Sequence, residues 1–172
     1  GKYWEYIVHI ALILRCLSTS LSNKRPPLDM KWESNRPIVE VLHLIPEHSS
    51  ADERVKRAIM EKFKTTSHPM FLVVVPKNPL FKQFDGFLCY GKNKKCEEVV
   101  GYQCKFGNDY PTKPITQEWI DRGYVIRGKA PTTTQGTQLK KWTYMNEEEI
   151  KDLLGTSLAT VYPHEWNNSG KK

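Results

Sequence analysis

The fold is decided by three runs of sequence: MFLVVV at 70–75, FDGFLCY at 84–90 and EVVGYQCKF at 98–106. The first is a short continuous apolar run between two prolines, which is typical of a fully buried strand. The other two runs are β-like and are joined by GKNKKCE at 91–97, so they predict a hairpin with a strongly cationic tip. Together the runs predict the centre of a β-sheet.

The segments around these runs predict helices that cover the sheet. Apolar residues recur at helical spacing over 3–17 and again over 51–64. Farther along, Asn146 before EEEIKDLLG predicts an N-cap, an acidic first turn and a stop at Gly155. The other predicted elements are strands over 38–45 and 156–162 and a helix over 117–122. The pattern predicts a single α/β domain in which a central mixed β-sheet is flanked by helices.

The composition of the loops and of the chain ends predicts where the domain begins and ends. Residues 107–145 are rich in Gly, Pro and Thr, which predicts an excursion over the surface apart from the helix within it. We expect the domain to span 1–166 and residues 167–172 to form a flexible tail. The start at Gly1 inside a helical pattern predicts that the domain is a C-terminal fragment of a larger protein.

Composition and charge narrow the functional classes. The chain has 172 residues, of which 26 are Lys or Arg and 19 are Asp or Glu, giving a formal net charge of +7. Its 39% hydrophobic and 11% aromatic content is that of a globular protein and excludes a disordered or collagenous chain. The basic surplus favours a polyanionic partner, nucleic acid or an anionic membrane. The alternative is a basic surface that only aids solubility.

The most apolar segment does not predict a membrane span. Residues 3–17 are interrupted by Glu5, His9 and Arg15 and are fewer than the ~20 apolar residues that a span requires. We therefore expect a core helix and no membrane partner. The cysteines lack CxxC spacing, so free thiols are expected in place of a zinc site or disulfides. They are Cys16, Cys89, Cys96 and Cys104.

The hairpin is where chemistry is expected. No phosphate-binding glycine loop and no GxSxG motif occurs, and the five histidines are scattered singly. Gln103 and Lys105 lie two residues apart in one predicted strand, so they project to the same face and can meet Asp85 on the neighbouring strand. The alternative is that Asp85 begins a turn while the other two are solvated.

Such a trio can support phosphodiester chemistry. A hard divalent cation prefers oxygen ligands, which the Asp85 carboxylate, the Gln103 amide and the backbone carbonyl of Cys104 can supply. The cation would polarise the phosphate and lower the pKa of a bound water, while Lys105 would orient that water or offset charge on phosphate oxygens.

The same residues resemble those of a known superfamily. A first helix with Glu5, then a strand, Asp85, a hairpin and Gln103-Cys104-Lys105 resembles the restriction-endonuclease-like PD-(D/E)XK superfamily. Longer runs resemble the C-terminal nuclease-like domains of Crinkler effectors and their retrotransposon-hotspot relatives. These runs are GYQCKFG at 101–107, WIDRGYVIRGKAP at 119–131 and WTYMNEEEIKDLLGTSLATVYPHEW at 142–166. The sequence departs from the superfamily because no proline adjoins Asp85 and Gln103 stands in place of the second acid.

The resemblance implies a restriction-endonuclease-like fold and a Mg²⁺- or Mn²⁺-dependent nuclease that acts on DNA in preference to RNA. Glu5 would be a second acid, and the parent protein would act in a host nucleus. Trp142 and Tyr144 would stack on bases or sugars. The implied phosphate contacts are Lys92, Lys94, Lys95, Arg127, Lys129, Lys140 and Lys141. Two alternatives stay open: a DNA-binding module without turnover, and a domain that binds a host protein.

Overall fold

A computed structural model describes residues 2–44, 52–76, 83–106, 111, 113–128 and 139–159. The helices are α1 (Lys2–Ser22), α2 (Asp52–Lys64) and α3 (Glu147–Ala159), with a 3₁₀ turn at Pro27–Asp29. The strands are β1 (Ile38–Leu44), β2 (Met70–Pro76), β3 (Gly86–Lys92), β4 (Lys95–Lys105), β5 (Arg122–Arg127) and β6 (Trp142–Tyr144). The predicted α/β class, a mixed sheet flanked by helices, is confirmed.

The six strands form one sheet in the spatial order β1-β2-β3-β4-β5-β6. β1 runs parallel to β2, and β4, β5 and β6 run parallel to one another, whereas β3 is antiparallel to both of its neighbours. Consequently β3 begins at the same edge of the sheet at which β4, β5 and β6 end. The hairpin tip between β3 and β4 lies at the opposite edge.

Each face of the sheet carries its own apolar core. On one face, α1 and α3 pack over side chains that include Leu88, Val100 and Tyr102. On the other face, α2 packs over Leu72 and Val99. Since side chains alternate along a strand, the neighbouring residues of β4 belong to different cores.

Two predictions between residues 107 and 145 are wrong. No helix covers 117–122: residues 118–119 form a turn, and β5 begins at Arg122. The Asp121 carboxylate accepts a hydrogen bond of 2.8 Å from the Val99 amide, which fixes this segment beside β4. The expected surface excursion also supplies β5 and β6, which complete the sheet.

The last helix begins as predicted. Asn146 Oδ1 accepts a hydrogen bond from the Glu149 amide, and the Glu149 carboxylate accepts one from the Asn146 amide. Gly155 adopts a left-handed φ of 70°, which breaks the regular helix there. Helical residues resume after it as far as Ala159, so no strand begins at 156; residues 160–162, like the predicted tail at 167–172, lie outside the described residues.

α1 is longer than predicted, and only one side of it belongs to the core. Trp4, Val8, Leu12 and Cys16 are fully buried against the sheet. The opposite side of α1 exposes apolar side chains, and among the described residues this one helix is long and apolar enough to cross a membrane by length and composition alone. The inner side holds α1 on the sheet.

Candidate active site

Asp85 lies at the sheet edge where β3 begins and β4 ends. Its amide donates a hydrogen bond of 2.8 Å to the Tyr102 carbonyl, and its Oδ2 accepts one of 2.6 Å from the Cys104 amide. The carboxylate therefore lies beside the backbone between Gln103 and Lys105. Burial raises the pKa of the Asp85 carboxyl, while the Cys104 amide, the Lys105 charge and a hydrogen bond with Glu5 act in the opposite direction.

Glu5 reaches this carboxylate from the first turn of α1. The indole Nε1 of Trp4 donates a hydrogen bond of 2.9 Å to the Ile126 carbonyl, which fixes the start of α1 over the end of β5. The Glu5 side chain then forms a hydrogen bond with the Asp85 side chain. Two carboxyl groups in contact share a proton or a cation, because two bare negative charges in a half-buried place repel each other.

Gln103 is buried, with 7% of its surface exposed. Its Nε2 donates a hydrogen bond to the Gln83 carbonyl, two residues before Asp85, and its Oε1 is buried with no hydrogen-bond partner among the residues that the structure describes. Buried polar atoms are normally satisfied, so this acceptor can take a further donor or a cation. By the alternation of β4, Gln103 and Lys105 belong to the face covered by α2.

Cys104 contributes backbone groups to the site. The N–H and C=O of one strand residue lie on the same edge of the strand, so the Cys104 carbonyl lies on the Asp85 side of β4. The Cys104 thiol is buried in the core under α1, and burial together with the nearby Asp85 carboxylate raises its pKa. The thiol is therefore not a nucleophile here.

His9 is a neighbour of the site that sequence reasoning missed. Its Nδ1 is hydrogen-bonded to the hydroxyl of Tyr102 at 2.7 Å, and both side chains are buried. Burial lowers the pKa of His9 to about 4, with a smaller contribution from the charge of His43, so the ring is neutral at pH 7. His9 lies one helical turn after Glu5, and that i, i+4 spacing was the available sequence signal.

The paired carboxyl groups of Asp85 and Glu5 fit a divalent cation of the hard, oxygen-loving kind. Among the described residues no group of three or more His, Cys, Asp and Glu side chains could hold a metal ion. Magnesium, however, is commonly bound through one or two carboxylates, with water and substrate phosphate filling the other positions. Asp85 and Glu5 supply two carboxyl groups in contact, whereas Gln103, on the face covered by α2, has a buried amide oxygen that lacks a partner among the described residues.

In the described part of the chain, the predicted cationic residues do not form a ring around this site. Lys94 and Lys95 are exposed at the hairpin tip, where Lys92 pairs with Glu33. The tip is the length of β3 away from Asp85, which is about 20 Å. Lys140 is exposed and Lys141 donates to the Ile120 carbonyl at 3.3 Å, and both precede β6, at the end of the strand away from Asp85.

Arg127, Trp142 and Tyr144 contact other residues of the domain. Arg127, at the end of β5, is only 2% exposed and lies over the Tyr144 ring at 5.1 Å from its centroid. Trp142 is buried, is stacked on Phe84 at 5.4 Å and donates a hydrogen bond of 3.0 Å to the Lys113 carbonyl. The expectation that Trp142 stacks on bases is therefore wrong, because its ring belongs to the core. Lys129 lies outside the described residues.

Comparison with known proteins finds no relative of this chain. No family model matches the chain, and neither curated proteins nor solved structures provide a significant match.

Proposed function

We propose that this chain is a Mg²⁺-dependent nuclease that hydrolyses phosphodiester bonds of DNA. One observation carries the proposal: the Asp85 carboxylate is bonded to the Cys104 amide, between Gln103 and Lys105, and contacts the Glu5 carboxyl group. The sequence resemblance to restriction-endonuclease-like enzymes supports the same reading of these four residues.

Each side chain has a distinct role in the proposed reaction. Asp85, the Gln103 amide oxygen and the Cys104 carbonyl would hold Mg²⁺ or Mn²⁺. When bound, the cation would polarise the scissile phosphate and lower the pKa of a water molecule. Lys105 would orient the attacking water and offset the negative charge that develops on the phosphate oxygens.

Glu5 acts as the second carboxyl group of the site. In contact with Asp85, it would share a proton with that carboxyl group or help it to hold the cation. As a carboxylate, Glu5 would accept a proton from the attacking water. Both roles need Glu5 to stay where Trp4 fixes the start of α1.

Plasmid cleavage tests the proposal. Supercoiled DNA is incubated with the chain and Mg²⁺ or Mn²⁺, beside Asp85→Ala and Lys105→Ala, with Lys95→Ala as the matched control at the other end of β4. We expect each site variant to lower the cleavage rate by about 100-fold or more, and Lys95→Ala to leave the rate unchanged. Equal nicking by the wild type and both site variants would overturn the proposal that the chain is an enzyme.

A second candidate is a DNA-binding module of the same fold without turnover. The observation that favours it is Gln103, a neutral amide that is already bonded to the Gln83 carbonyl. Salt-dependent DNA binding with no cleavage in either metal would support the module. An RNA duplex of the same sequence, tested in parallel, decides the proposed preference for DNA.

The proposed place of action is the nucleus of a host cell, as the effector domain of a Crinkler-type protein. This part rests on the sequence resemblance alone. A fluorescent fusion of the full-length parent, expressed in host cells, tests it, and exclusion from the nucleus would overturn it.

A further inference from the structure

The outward side of α1 carries an apolar repeat, and of its residues only Ile7 packs partly against the core. Counting along the helix, Tyr3, Ile7, Ile10, Leu14, Leu17 and Leu21 follow one another at alternating steps of four and three residues. Steps of this kind define the a and d positions of a coiled-coil heptad, whose apolar seam faces a partner helix. This seam is separate from the buried row at Trp4, Val8, Leu12 and Cys16.

The seam is exposed at both ends and in the middle of the helix, and only Ile7 is half-buried. Tyr3 is 83% exposed, Leu14 is 50% exposed and Leu21 is 76% exposed, and the neighbouring Tyr6 is exposed as well. With Ile10 and Leu17, these side chains offer on the order of 600 Å² of apolar surface. That is the upper end of the largest apolar patch on a typical monomer, and it approaches the ~800 Å² per partner of a standard interface.

We propose that α1 pairs with α1 of a second copy of this chain through this seam. The seam is self-complementary, since identical rows of Leu, Ile and Tyr can pack against each other in a two-fold arrangement. The positions beside it are uncharged, so a chain of net charge +7 brings no like charges together there. These flanking residues are Trp4, Tyr6, Ala11, Ile13, Ser18 and Ser20.

A membrane is the less favoured occupant. A span would require α1 to leave the sheet, which would expose its fully buried inner row. A helix lying on an anionic membrane usually carries several Lys or Arg residues on its polar side. Between residues 3 and 22, α1 has only Arg15, and this side chain is paired with Asp152 at 3.0 Å.

Sedimentation equilibrium of the 172-residue chain tests the pairing. We expect a dimer at micromolar concentration, and we expect Leu14→Glu or Leu21→Glu to raise the dissociation constant by about 100-fold or more, because each change acts twice in a symmetric pair. Val41→Glu, at an exposed apolar residue of β1, is the matched control and should remain dimeric.

Three outcomes would overturn the proposal. The first is a wild type that stays monomeric at a concentration 100-fold above the expected dissociation constant. The second is a dimer that persists in both seam variants. The third is a monomer that floats with neutral or anionic lipid vesicles. Thermal melting of each variant checks its fold, and Leu21→Glu, at the most exposed seam leucine, is the change that the monomer tolerates best. The dimer and the nuclease proposal are measured separately, so either can fail without the other.

Discussion

At the scale of single residues, a change at Gln103 tests both stability and the proposed metal binding. Its Nε2 donates to the Gln83 carbonyl, so Gln103→Glu would set a carboxylate against a carbonyl oxygen and cost on the order of 2 kcal/mol without metal. With Mg²⁺ bound, the new carboxylate would be a stronger ligand than the amide. We therefore expect a lower melting temperature in EDTA and a larger rise on adding Mg²⁺ than the wild type shows.

Differential scanning fluorimetry with a Mg²⁺ titration measures both effects, and Na⁺ at equal ionic strength is the control. If Mg²⁺ raised the melting temperature of the two proteins equally, Gln103 would not be a ligand.

His9 makes stability depend on pH. Its pKa is about 4 in the folded protein and about 6.5 when unfolded, so between these values the unfolded chain binds a proton that the folded chain does not. Stability is full above pH 6.5 and falls as the pH drops toward 4, by up to about 3 kcal/mol. His9→Gln, which keeps a polar partner for Tyr102, should remove this slope.

Urea unfolding of both proteins at several pH values between 4 and 7 measures the difference. Asp85 has a raised pKa and so contributes a slope of opposite sign, which is common to both proteins and cancels in the comparison. If plots of unfolding free energy against pH were parallel for the wild type and His9→Gln, His9 would not be the source of the pH dependence.

The sequence predicted the part of the site that follows from local geometry. The two-residue alternation of β4 puts Gln103 and Lys105 on one face, and the hairpin brings Asp85 to the same edge. His9 could not be found this way, because its partner Tyr102 is 93 residues away and only the packing of α1 across the sheet brings them together. Glu5 was reached through family resemblance, not through spacing.

At the scale of elements, α3 depends on its first turn. Asn146 and Glu149 satisfy each other's amides, and Asn146→Ala removes one half of this capping box. We expect a loss of about 1 kcal/mol in the free energy of unfolding. Asn35→Ala, at an exposed bend, is the matched control and should change little. A loss no larger than that of the control would show that packing of Ile150 alone sustains the helix.

At this scale, elements with a clear run or period of apolar residues were predicted, whereas elements too short or too irregular to show one were not. β2 reads as a continuous apolar run and α2 as a helical period, and both begin within a residue of the predicted start. β6 has only three residues, too few for any period to show. β5 contains Gly123, where a Cβ would lie 2.8 Å from the Trp142 ring, so the residue that weakens the strand pattern is required by close packing.

At the scale of the whole molecule, basic side chains lie at both of the sheet edges where strands end. Lys105 and Arg127 end adjacent strands at the Asp85 edge, whereas Lys94 and Lys95 lie about 20 Å away at the hairpin tip. A net charge of +7 would therefore attract the proposed DNA partner without directing it to one face.

This division predicts which lysines DNA contacts. A DNA duplex is stiff over about 150 base pairs, so a duplex lying along the Asp85 edge does not bend around the sheet to the hairpin tip. Each phosphate contact that is lost lowers the slope of log binding constant against log salt by about 0.9. We expect Lys94→Ala with Lys95→Ala to leave the slope unchanged and Lys105→Ala to lower it by about 1, measured by fluorescence anisotropy with a labelled duplex in EDTA. A drop of about 2 in the double variant would mean that DNA binds at the hairpin tip, and the cleavage site would then have to lie at that edge or be absent.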